Sequence, residues 1–158
     1  MKKRKQHDVK VGDIYAVPLD PLGRRYGYVR MYNDPDVAIL GVTSGKQLLS
    51  LHEVSQYGSV TDALCLRSAI EKGRWPLIGN LPFGPGEDPW PGPRKQVAKI
   101  RPDLKMVLFK GHFISSETFG QYDELPELMK FSDENLIEYI NNNKPMFMQI
   151  ERIAHPKK

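Results

Sequence analysis

Arginines and tyrosines alternate in the one stretch of the sequence whose residue types could hold a nucleic acid. The stretch contains Arg24, Arg25, Tyr26, Tyr28, Arg30 and Tyr32. Unpaired bases stack on aromatic rings beside cationic side chains, so this pattern is typical of surfaces that bind single-stranded nucleic acid. The same two-residue period is expected when one face of a β-strand packs into a core. We favour the packing interpretation.

The histidines and the cysteine lack the spacing of a metal or nucleophile site. His7, His52, His112 and His155 have no partner ligand at metal-binding spacing. We expect His52 and His112 to be structural or surface residues. Cys65 lies in an apolar stretch, where burial makes a thiol unreactive. Because Gly-x-Ser-x-Gly and Walker motifs are also absent, the sequence predicts no catalytic residue, no metal and no cofactor.

Length and composition are those of one globular domain. The 158 residues are 40% hydrophobic and 27% charged. No apolar run approaches the roughly 20 residues of a transmembrane helix, and the basic N-terminus lacks the apolar segment of a secretory signal. A single cysteine fits a reducing compartment. These features predict a cytoplasmic protein with no membrane partner, and they do not indicate its oligomeric state.

The net charge of +4 belongs to the N-terminus. Residues 1–10 contain five bases and one acid, which leaves the body of the chain neutral. We predict a flexible basic tail at residues 1–8 and a single domain at residues 9–154. A basic tail can follow phosphates or anionic lipids. We favour a solvated terminus and do not expect nucleic acid as a partner.

The neutral body divides into a basic and an acidic segment. Bases dominate residues 94–110, whereas acids dominate residues 115–140. The two segments either pair with each other, which we favour slightly, or leave an acidic surface for a cationic partner. The acids that such a partner would contact are Glu117, Asp123, Glu124, Glu127, Asp133 and Glu134.

Short apolar runs predict a mainly β fold. Strands are expected at residues 11–18, 26–32, 37–42, 105–109, 112–115 and 146–153, with a type I turn that begins at Asp20. A helix is expected at residues 133–141, capped by Ser132. Residues 47–52 fit either a strand or a helical turn, and residues 61–73 carry both helical and strand periodicity. The fold class is therefore α+β and predominantly β: a twisted antiparallel sheet or partly open barrel with one helix in the C-terminal region.

Five prolines and three glycines interrupt regular structure at residues 82–93. Proline donates no ladder hydrogen bond, so this stretch must be a loop. Its large apolar residue, Trp90, is expected to pack the loop onto the body. Alternatively, Trp90 with Glu87 and Asp88 could anchor a protein partner, because interface anchors are often tryptophan.

Three motifs resemble the immunity protein 26 family of bacterial polymorphic-toxin systems. They are KVGDIYAVPL at residues 10–19, YGYVR at 26–30 and GRWPLIG at 73–79. The resemblance covers roughly residues 9–115 and implies that residues 63–68 are extended. It also implies a small cytoplasmic protein, of the kind that protects against contact-dependent inhibition, which binds a cognate toxin domain and blocks it by stoichiometric occlusion.

Two alternatives belong to other functional classes. Residues 12–15 and the turn at Asp20 also resemble the first strand of the MazF/PemK-type small-barrel endoribonucleases. In that case Arg24 or Arg25 would take the place of the family's catalytic arginine, although the strand that should follow differs. The other alternative is an RNA-binding module that uses the basic tail.

Overall fold

A computed structural model describes residues 8–97, 100–101 and 103–150, which form two β-sheets and four short helices. The strands are β1 (Asp13–Pro18), β2 (Tyr26–Met31), β3 (Asp36–Ser44), β4 (Ser59–Cys65), β5 (Leu77–Asn80), β6 (Arg94–Gln96), β7 (Met106–Phe109), β8 (His112–Ser115), β9 (Lys130–Phe131) and β10 (Met148–Ile150). The helices are α1 (Leu51–Val54), α2 (Ser68–Glu71), α3 (Ser116–Phe119) and α4 (Asp133–Asn142).

The larger sheet is open and mixed. Its order is β5-β1-β2-β3-β4-β9, and β10 also pairs with β3. The pairs from β5 to β4 are antiparallel, whereas β9 and β10 run parallel to β4 and β3. This confirms the predicted α+β class as an open sheet rather than a barrel, with parallel strands at its margin that the sequence did not indicate.

Strand β3 is central, as its continuous apolar run predicts. On one side it pairs with β2; on the other, its first half pairs with β4 and its last three residues with β10. Every residue of β3 except Gly41 is buried. A strand covered on both faces cannot show polar alternation, which is why the run is apolar throughout.

The turn between β1 and β2 is fixed by Asp20. Its carboxylate oxygen Oδ1 accepts the backbone N–H groups of Leu22 (2.9 Å) and Arg24 (3.1 Å), and its carbonyl accepts that of Gly23 (3.1 Å). The bond from Arg24 is the main reason why the pKa of Asp20 lies below its ordinary value. The predicted turn is confirmed.

Each face of the larger sheet has its own core. On the first face, Leu136 and Ile140 of α4 pack with α2 and Trp75 over the sheet. On the second face, α1 and the segment before it cover the sheet through Val54 and Leu49. The helix α4 begins as predicted, because the Ser132 hydroxyl accepts the Asn135 N–H at 3.1 Å.

Both ambiguous segments resolve into short elements. Residues 47–52 are not a strand: Ser50 and Glu53 form a capping box that starts α1. Within residues 61–73 the strand β4 ends at Cys65 and α2 follows, so the extended structure expected at 63–68 begins and ends earlier. The strand periodicity therefore describes the residues up to Cys65, and the helical periodicity describes the residues of α2 that follow.

The last predicted strand, at residues 146–153, is shorter than expected. A 3₁₀ turn occupies Lys144–Met146, β10 occupies Met148–Ile150, and the remainder lies outside the described residues. The basic tail predicted at residues 1–8 also lies outside them, apart from Asp8. In the part of the chain that the structure describes, no helix is long and apolar enough to cross a bilayer.

Residues 126–129 link the smaller sheet, β6-β7-β8, to the larger one through backbone hydrogen bonds. Lys95 of β6 donates its N–H to the carbonyl of Pro126 (2.8 Å) and accepts that of Leu128 (2.7 Å). Just beyond, Met129 accepts the N–H of Leu64 in β4 (2.8 Å). The chain thus leaves one sheet and enters the other within three residues, and the two sheets diverge at that point.

Candidate partner-binding surface

The proline-rich loop at residues 82–93, which we call the strap, is tightly attached to the second face of the larger sheet. The Arg30 guanidinium donates through Nε to the carbonyl of Leu81 (3.1 Å) and through Nη2 to that of Pro82 (3.0 Å). The ring of Phe83 lies 3.8 Å from that guanidinium and stacks on Tyr32 with ring centroids 5.5 Å apart. Cation–π and stacking contacts therefore fix the start of the strap.

The far end of the strap is held by the smaller sheet. Asp88 pairs with Lys110 at 3.3 Å, and the half-buried ring of Trp90 lies directly on Gly111. A Cβ at Gly111 would lie 2.9 Å from Cη2 of Trp90, so only glycine allows this contact. The prediction that Trp90 packs the loop onto the body is confirmed. Glu87 also serves the strap itself, because its carboxylate accepts the Gly84 N–H at 2.6 Å.

A buried ion pair joins the two sheets beneath the strap. Arg94, at the start of β6, donates from Nη2 to Oδ1 of Asp36 at the start of β3, at 2.9 Å. The side chains are 4% and 0% exposed. Burial raises the pKa of Asp36, and Arg94 opposes that rise. Oδ2 of Asp36 and Nη1 of Arg94 have no hydrogen-bond partner among the described residues.

A cleft of about 720 Å³ opens beside this ion pair, where the two sheets diverge. Its walls are residues 59–62 of β4, residues 92–94 where the strap passes into β6, and Pro126, Glu127 and Met129. The Asp62 carboxylate lies in the first wall and accepts hydrogen bonds from Tyr32 (3.0 Å) and Ser59 (2.8 Å). Burial, followed by the nearness of Asp62, raises the pKa of Tyr32, so this tyrosine stays protonated and donates.

A second cleft of about 480 Å³ has Tyr32 in its lining. It is lined by the start of the strap, by α1 and by the second face of the larger sheet, with Glu87 and Asp88 at its edge. Most of its polar groups, including Arg30 and Tyr32, are already bonded within the chain.

The structure separates the acids that the sequence grouped together. Glu127 lines the cleft where the two sheets diverge. The others are distributed over three elements: Glu117 in the first turn of α3, Asp123 and Glu124 in a 3₁₀ turn, and Asp133 and Glu134 in the first turn of α4. All except the half-buried Asp133 are exposed.

The basic and acidic segments meet in the structure, but not through ion pairs. Among the ion pairs of the described residues none joins residues 94–110 to residues 115–140; Arg94, Arg101 and Lys110 pair with Asp36, Asp103 and Asp88. The two segments are joined instead by the backbone bonds at Lys95, whose Nζ also donates to the carbonyl of Asp123 at 3.3 Å, and by the hydroxyl of Tyr122, which donates to the carbonyl of Gln96 at 2.8 Å. The carboxylates of the acidic segment have no ion-pair partner among the described residues.

The tyrosines of the alternating stretch pack into the core, which is the interpretation that we favoured from the sequence. Tyr28 is buried, with its hydroxyl 2.7 Å from that of Ser44 and accepting the Leu49 N–H at 2.9 Å. Tyr26 and Tyr32 pack against the same core. The two arginines before them have structural partners.

Arg24 pairs with Asp20 in the turn at 3.6 Å, and Arg25 donates to Asn141 of α4 at 3.1 Å. The arrangement gives no support to an endoribonuclease site.

The remaining reactive residues are placed as predicted. Cys65 is buried, and burial raises its pKa to about 12. His52 and His112 are exposed. Among the described residues no group of three or more histidine, cysteine, aspartate or glutamate side chains could hold a metal ion.

Asp36, Arg94 and Asp62 are the polar residues that sequence reasoning missed. An aspartate and an arginine 58 positions apart carry no local signal of pairing, and Asp62 lies in a stretch whose periodicity was ambiguous. The one available hint was that Arg94 follows the strap directly, at the point where a loop must rejoin the body.

Comparison with known proteins identifies the family. The sequence model of Immunity protein 26 matches residues 10–100, which is more than half of the chain and includes β1 to β6. The chain belongs to the Immunity protein 26 family. Searches of curated proteins and of solved structures found no match. The family match includes the strap and the Asp36–Arg94 pair but ends before the acidic segment.

Proposed function

We propose that this immunity protein binds the toxin domain encoded beside it in the bacterial cytoplasm and neutralises it by stoichiometric occlusion. Membership of the Immunity protein 26 family carries the proposal. Occlusion requires a stable surface that covers the toxin's own site, and it requires no reactive group in the inhibitor. The architecture suits that task, because both faces of the larger sheet are packed and the strap is fixed at both ends.

The exposed acids are one set of proposed contacts. Glu117, Asp123, Glu124, Glu127 and Glu134 have no ion-pair partner among the described residues and lie on the C-terminal part of the chain, together with the half-buried Asp133. An acidic surface raises the association rate with a basic toxin and favours it over other partners. These residues lie outside the stretch that matches the family, as expected for a surface that differs between family members with different toxins.

The strap is the other set of proposed contacts. Glu87 and Asp88 are exposed at its outer bend, and Trp90 keeps part of its ring at the surface. Because the strap is held in place before binding, its ordering would cost the complex little entropy.

The test is protection and complex formation with the neighbouring toxin domain. Co-production of the full chain should allow growth of cells that produce the toxin domain, and size-exclusion chromatography with light scattering should show a complex with one copy of each. Growth arrest despite production of folded immunity protein, or separate elution of the two proteins at micromolar concentration, would contradict the proposal.

A further inference from the structure

The cleft at the junction of the two sheets contains an open strand edge. The N–H of Leu64 points away from β3 and is taken by Met129. Since alternate residues of a strand point the same way, the N–H and C=O of Asp62 also point outwards. The segment that contains Met129 does not continue alongside Asp62, because Pro126 and Leu128 bond to Lys95 of β6 instead. Within the described ranges no backbone group forms a hydrogen bond with the outward-pointing N–H and C=O of Asp62.

A buried, unpartnered donor lines the same cleft. Arg94 is 4% exposed, yet its Nη1 has no hydrogen-bond partner among the described residues. Buried donors are rarely left unsatisfied, because each lost hydrogen bond costs free energy. Because this atom is closed to solvent, an acceptor oxygen from outside would complete it only by displacing part of the cleft wall.

The charge of the lining selects a cation. The positive charge of Arg94 is matched by Asp36, whereas Asp62 and Glu127 have no basic partner among the ion pairs of the described residues. The cleft therefore carries excess negative charge in a partly enclosed volume, where interactions between charges are stronger than in bulk water. Its volume of about 720 Å³ is in the range of binding clefts.

We propose that this cleft is where the toxin docks, and that the occupant is an extended segment of the toxin domain that carries a lysine or arginine. The segment's backbone pairs with the open edge at Asp62, and its basic side chain lies between Asp62 and Glu127. Strand addition of this kind uses main-chain hydrogen bonds for affinity and a side-chain pocket for specificity. The inference rests on the proposed function and adds the site and the chemistry of the partner.

Two pairs of variants test the assignment by binding to the purified toxin domain. Glu127→Lys reverses the charge in the cleft, and Glu71→Lys makes the same change on an exposed residue of α2. Gly92→Phe adds bulk to the cleft wall at a position where a Cβ meets no atom within 4 Å, and Gly45→Phe adds it at an equally open glycine elsewhere.

The two cleft variants should raise Kd by at least about tenfold, because charge reversal and steric filling both act on the docked segment. The two control variants should bind like the wild type. Thermal melts establish that each variant folds. If Gly92→Phe does not, Glu127→Lys decides, since the Glu127 side chain is exposed and forms no ion pair with another described residue.

The outcomes separate the two proposals. If the wild-type chain does not bind the toxin domain, the proposed function fails. If it binds and both cleft variants bind equally well, or if the controls weaken binding as much as the cleft variants do, only the assignment of the cleft is overturned.

Discussion

Removing Arg94 should destabilise the protein severely. Arg94→Leu fills the site with an apolar side chain but leaves the Asp36 carboxylate, whose side chain is 0% exposed, buried without its partner. Breaking a buried ion pair in this way costs about 3–5 kcal/mol. At roughly 2–4 °C per kcal/mol for a chain of this size, Tm should fall by about 6–20 °C at neutral pH.

The loss should shrink in acid. Burial already raises the pKa of Asp36 above its ordinary value, and without Arg94 it rises further. Between the ordinary and the raised pKa the folded protein binds more protons than the unfolded chain, so the free energy of unfolding falls as pH rises through that window. The deficit of Arg94→Leu should therefore be largest near neutral pH and smaller in acid, as the pH falls into that window and Asp36 takes up a proton.

Urea and thermal unfolding of the wild type and the variant at neutral and at acidic pH measure this effect. Arg101→Leu is the matched control, because it breaks the Arg101–Asp103 pair, whose side chains are 64% and 71% exposed. Exposed pairs contribute about 0–1 kcal/mol. If Arg94→Leu loses no more unfolding free energy than the control, or loses the same amount at both pH values, then an unpaired Asp36 carboxylate is not what destabilises the variant.

Three further predictions concern stability and reactivity. Gly111→Ala should cost roughly 1–2 kcal/mol or more, since φ is +82° and the new Cβ meets Trp90; unchanged stability and tryptophan emission would contradict that contact. Tyr28→Phe should cost about 1–3 kcal/mol because it leaves buried partners unsatisfied, whereas Tyr26→Phe should stay near the wild type in the same urea titration. The Cys65 thiol should react with a disulfide reagent near pH 8 at least roughly 100-fold more slowly than in urea, and equal rates would show that the thiol is not protected.

Local patterns in the sequence predicted those elements that local contacts determine. The turn at Asp20 and the start of α4 at Ser132 each depend on a side chain that bonds backbone within four residues. The strand expected at residues 37–42 was also found, and its unbroken apolar sequence agrees with a strand that is covered on both faces. The Trp90 packing followed from composition, because a loop rich in proline needs an apolar contact to stay ordered.

Features that depend on distant residues were not predictable. The parallel pairing of β9 and β10 requires partners 66 and 106 residues earlier in the chain, and nothing in a two- or three-residue strand encodes the choice. The junction cleft exists because one segment leaves Lys95 for Leu64 within a few residues. Even a correct prediction of every strand does not show where two sheets diverge. For that reason the acids were grouped from the sequence by their order in the chain, and not by their place in the fold.

We propose that the protein acts by occupying the toxin, one copy for one copy. Calorimetric titration of the toxin domain with the full chain, followed by intact-mass measurement of the toxin recovered from the complex, distinguishes this from a catalytic mode of action. We expect an end point at an equimolar ratio and a toxin of unchanged mass. Inactivation of an excess of toxin by a small amount of this protein, or recovery of a cleaved or modified toxin, would contradict it.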